Sequence, residues 1–98
     1  MPANLRFAGD QQILPGSLVV LHRDCWSTPG SANPGQVVAY AALKPLAICL
    51  GTSTFERSGR PHTAASATAE SWSLVLVGDR VGWVNADASV EPPGMERA

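Results

Sequence analysis

Charge is scarce in this sequence. Asp, Glu, Lys and Arg make up 15% of its 98 residues and the net charge is −1, whereas about a quarter of an ordinary soluble domain is charged. So weak a field attracts neither phosphate nor an anionic bilayer, and neither a nucleic-acid nor a membrane partner is expected. Long apolar runs are also missing. Nothing approaches the roughly 18 residues of a membrane span, and Met1-Pro2-Ala3-Asn4-Leu5-Arg6-Phe7 lacks the apolar centre of a signal peptide, so a cytoplasmic protein is expected.

There are only two cysteines and two histidines. Without a secretion signal, Cys25 and Cys49 read as reduced thiols, although they could pair if the fold brought them together. With His22 and His62 they form the residue set of a two-Cys, two-His metal site. Their spacing is unlike the closely spaced zinc motifs, so no metal or other cofactor is expected. Cys25 beside His22 also has the elements of a nucleophile and base. No pocket, oxyanion donor or orienting acid is implied with them, and the chain reads as a non-enzyme. Phe55, Arg57, Arg60 and His62 gather phosphate-binding residue types in one stretch, but Glu56 dilutes the charge and a solvated loop is the simpler reading.

What the sequence does have is apolar β pattern: 45% of it is hydrophobic. Its length suits one domain over residues 1–98 with a single core, preceded by an arm, 1–12, and ending in a tail, 92–98. Leu18-Val19-Val20-Leu21 is a short apolar run bounded by turn residues and predicts a strand buried on both sides. Asp24 to Gly35 is rich in Pro and Gly and reads as a long loop. Gln36 to Tyr40 is either a strand or the loop's returning limb. Leu46 to Leu50 predicts a strand with Leu46, Ile48 and Leu50 on one face, closed by Gly51. The 21 residues from Gly51 to Ser71 hold twelve Ser, Thr or Ala, which predicts a second long loop without a core strand and a short helix near 64–69.

Ser71 to Asn85 is the most telling stretch. Gly78-Asp79 between two β-rich runs predicts a hairpin with a two-residue turn, setting Val77 opposite Arg80, Leu76 opposite Val81, Val75 opposite Gly82 and Leu74 opposite Trp83. One face then carries Trp72, Leu74, Leu76, Val81 and Trp83, and the other Ser73, Val75, Val77, Gly82 and Val84. Both faces are apolar, so one of them needs a cover, and an uncovered patch of that kind marks an interaction site.

From Trp72 to Glu91, 20 of the 98 residues, the chain resembles the carboxy-terminal part of a Src-homology-3 domain of the bacterial type. Trp72 stands as the leading Trp, Gly82-Trp83-Val84 as the Gly-aromatic-aliphatic triplet, Asn85 to Ala88 as the one-turn helix and Ser89-Val90-Glu91 as the closing strand. The resemblance implies a mainly β fold, a small antiparallel Src-homology-3-like barrel of about five strands with two long loops. It also implies that Val75 and Val84 are core, which puts Trp72, Leu74, Leu76, Val81 and Trp83 outward as the partner-binding set. The family's proline groove is poorly matched: Asn85 and Ala88 replace its Pro and Tyr, and His22-Arg23-Asp24 its first-strand aromatics, so a polyproline ligand is not expected. The expected function is a protein-binding or assembly module, a small accessory subunit of a larger complex such as a phage virion, with a protein partner or self-association. The alternatives are a reader of peptides or cell-wall fragments, and a metal protein or enzyme using His22, Cys25 and Cys49.

Overall fold

The computed structural model of the chain describes residues 13–63, 69–87 and 93–98. Seven strands appear: β1 (Leu18–Leu21), β2 (Cys25–Trp26), β3 (Val37–Ala39), β4 (Leu46–Phe55), β5 (Glu70–Val77), β6 (Arg80–Asn85) and β7 (Met95–Arg97), with one turn of 3-10 helix at Ala41–Leu43. All pairings are antiparallel. They form one sheet in the order β3-β2-β6-β5-β4-β1-β7, curled as a half-barrel. Among the described residues no helix is long and apolar enough to cross a membrane.

The hairpin β5–β6 has the register that a two-residue turn dictates: Val77 faces Arg80, Leu76 Val81, Val75 Gly82 and Leu74 Trp83. Gly78 supplies the positive φ of 63° that this turn requires. Alternate residues then separate inside from outside. Val19, Leu21, Cys25, Cys49, Val75 and Val84 are fully buried, and Ala47 and Met95 complete the core. Ser73 shares their face, and its hydroxyl lies 2.7 Å from the Thr52 hydroxyl, which supplies the hydrogen-bond partner a buried polar group needs.

Several expectations need correction. The described residues form seven strands where about five were expected, because the Pro/Gly-rich loop folds into the β2–β3 hairpin, which joins the sheet through Trp26 and Trp83. Gly51 does not close β4. A bulge between Cys49 and Gly51 absorbs it, and the strand runs on to Phe55 against Glu70 to Leu74. Thr52, Ser53 and Thr54 are exposed there, so pairing without burial left no apolar signal. β1 is buried on one side only: Leu18 is 48% exposed, because the described residues place no second layer over that face.

The tail holds a strand, β7, whose Met95 enters the core and whose Glu96 and Arg97 face water. The expected closing strand at 89–91, the arm at 1–12, Ala88, and all but Ala69 of the short helix near 64–69 lie outside the described residues.

Candidate functional site

The outward side of the sheet can be read directly from the register, because paired residues share a face. Leu18, Ile48, Leu76 and Val81 form one row across β1, β4, β5 and β6. Leu46 and Val20 form the next row, reaching Glu96 at the β7 margin. On the other side, Gly51, Leu74, Trp83 and Trp26 continue across four strands. Leu18 is 48% exposed, Leu46 57% and Val81 54%, while Val20, Ile48, Leu74, Leu76 and Trp83 are half-buried. Isolated exposed apolar residues are ordinary on a soluble protein. An apolar block continuous over four strands is not.

Of the five expected contact residues, Leu74, Leu76, Val81 and Trp83 lie in this block, though Trp83 also packs edge-on against Phe55, with ring centroids 5.0 Å apart. Trp72 does not belong to the open surface: it is only 2% exposed. The same periodicity that selects these residues misses Leu18, Val20, Leu46 and Ile48, which become their neighbours only through the β1–β4–β5 pairing.

The burial of Trp72 has a polar fastening. Its indole Nε1–H donates to Glu70 Oε1 at 3.0 Å, and the same carboxylate accepts the Ser31 backbone N–H at 3.0 Å and the Ser31 hydroxyl. The β2–β3 connection is thereby tied to the start of β5. A second tie comes from the Ala32 N–H donating to the Arg57 carbonyl at 2.9 Å, beside Gly30, where the Gly59 backbone leaves no room for a Cβ.

Burial pushes the Glu70 carboxyl upward. The Ser31 hydroxyl, the Trp72 indole, the Ser31 amide and the Arg57 charge together outweigh it and hold the group below its ordinary 4.5. A depressed carboxylate stabilises the fold fully above its unfolded pKa, and that contribution is lost as pH falls through the lower folded value. Melting temperatures should therefore fall as the pH drops below the ordinary carboxylate value of 4.5, and Glu70→Gln should flatten that dependence. Parallel slopes for the two proteins would refute the fastening.

Next to this fastening lies a cleft of about 430 Å³, lined by His22, Arg23, Asp24, Trp26, Ser31, Pro34, Ala41, Trp72 and Asn85. Its polar groups are already engaged in part: His22 Nε2 lies 2.6 Å from Glu96 Oε1, Asp24 accepts the Ala41 N–H at 2.7 Å, and Asn85 accepts the Asp87 N–H at 2.9 Å. Cys25 and Cys49 are free thiols with no exposed surface, and burial pushes the Cys25 thiol up to about 11 against a smaller lowering by Arg80. His62 is exposed. Among the described residues no three His, Cys, Asp or Glu side chains are grouped to hold a metal.

No protein-family model matches the chain, and comparison with curated proteins and with solved structures finds no match either.

Proposed function

We propose that this chain is a non-enzymatic protein-binding or assembly module of Src-homology-3-like architecture, acting through the outward face of its sheet. The observation that carries the reading is the apolar block from Leu18 to Val81, left open to water although the inner face already has a complete core. Exposed area of this kind raises the free energy of the isolated chain and is recovered on contact with a partner. In favour of the architecture is the chain order: a first strand, a long excursion, a second strand, a tight hairpin and a short last strand.

Leu46→Asp and Val81→Asp test the function, because both side chains are more than half exposed and their replacement should leave the fold intact. A protein that co-purifies with the wild-type chain, once isolated and titrated back, should bind either variant at least tenfold more weakly, about 1.4 kcal/mol. Equal affinity for both variants and the wild type would remove the outward face from the function.

A second reading, a receptor for peptides or cell-wall fragments, is favoured by one observation. Trp26 and Trp72 line the cleft along with His22, Asp24 and Asn85. Apolar walls with a few fixed polar groups suit a small ligand. Titration with wall peptides should then change the tryptophan fluorescence, and a flat response would exclude this reading.

A further inference from the structure

We infer that the cleft beside the Glu70 fastening is a binding site for a neutral saccharide of one or two pyranose rings; this rests on the second reading's placement of a ligand there and narrows its chemistry. The first support is charge. Arg23 and Asp24 are the residues of opposite formal charge on the cleft wall and are adjacent in the chain, so their charges largely cancel. Nothing in that pair selects an anion or a cation, and recognition falls to hydrogen bonds and apolar contact.

The second support is the hydrogen-bonding capacity left over. Asp24 accepts the Ala41 N–H through Oδ1 at 2.7 Å, and Asn85 accepts the Asp87 N–H through Oδ1 at 2.9 Å. Each side chain is thereby fixed by one atom. What remains is an acceptor, Asp24 Oδ2, and the donor hydrogens of Asn85 Nδ2. The Trp26 indole N–H also has no partner among the described residues, although Trp26 is half-buried and a buried indole N–H ordinarily finds one. Sugar hydroxyls both donate and accept, and so suit this mixture.

The third is the apolar wall, supplied by Trp26, Trp72 and Pro34. The Trp72 N–H is donated to Glu70, so its ring adds apolar surface alone. The C–H groups of a pyranose carry slight positive charge and rest favourably on the negative face of an indole. A volume of about 430 Å³ is that of a small-ligand site. A peptide fits the cleft less well. It is commonly captured through its main chain at a free sheet edge, whereas β2, β5 and β6, which carry Trp26, Trp72 and Asn85, each have a strand on both sides.

Titration of the full chain with the disaccharides of glucose, galactose and N-acetylglucosamine, followed by proton–nitrogen correlation spectra, tests this. At least one should shift the Trp26 indole and Asn85 side-chain amide resonances saturably, with a dissociation constant on the order of 1 mM. The affinity should be the same at low and high salt, because the ligand is uncharged. Asp24→Asn keeps the oxygen that holds Ala41 and replaces Oδ2 by a donor; Trp26→Phe keeps a ring and removes the N–H. Each should weaken binding by about fivefold or more, while circular dichroism reports an unchanged fold.

No shift with any of the three sugars up to about 50 mM would overturn the inference; a tryptophan response to wall peptides would then leave the second reading standing without it. A saturable shift that neither variant weakens would put the saccharide elsewhere and overturn it too. A saccharide response with no peptide response upholds the inference and removes peptides from the second reading.

Discussion

Gly82→Ala should lower the unfolding free energy by about 2 kcal/mol or more, and Cys25→Ala in the same chain should recover part of that loss. Gly82 lies on the inner face of β6, where the core closes over it. A methyl group there would run into Cys25 Sγ, stand 3.0 Å from the Trp26 carbonyl oxygen and 3.3 Å from Val38 Cβ. Two of these neighbours belong to β2, so the added carbon pushes the β2–β3 hairpin away from β6. Cys25 has no exposed surface into which its sulfur could swing. Removing the sulfur alone should cost about 1 kcal/mol. If the clash is the cause, the double variant should be more stable than the sum of the two single losses by at least about 1 kcal/mol. Strict additivity in a denaturant-melt cycle would show that the strand tolerates a side chain at this point.

Leu21→Ala should cost about 2 to 5 kcal/mol, against a total stability of about 5 to 15 kcal/mol for a domain of this kind. Leu21 is the largest fully buried side chain and lies opposite Met95, so its loss opens a cavity at the β1–β7 pair. Leu46→Ala, the same chemical change on the next strand, should stay within about 0.5 kcal/mol at dilute concentration because the side chain is 57% exposed. The contrast measures the two sides of one sheet with one substitution. Equal losses would mean that Leu46 is covered in solution even at high dilution, and the outward face would not be open in the monomer.

The hairpin was legible because its information is local: Gly78-Asp79 sets the turn, and the turn sets every pair from Val77 to Leu74. The core residues Val75 and Val84 follow from the same alternation. β2 was hidden because it is two residues long and surrounded by turn chemistry. The far half of β4 was hidden because Thr52 to Thr54 pair with β5 while remaining exposed. β7 has one buried residue in three, too little to distinguish it from a solvated tail. Trp72 was placed on the right strand and on the open surface, but the Glu70 carboxylate that its indole bonds is held in turn by Ser31, 39 positions from Glu70. No pattern within a strand reports a loop that returns from such a distance.

Among the described residues the sheet ends on β3 at one side and β7 at the other, each three residues long, the latter carrying Glu96 and Arg97. Strands that short, with charges on one of them, template the addition of further strands poorly. Lateral growth of the sheet into a fibre therefore has little to extend from.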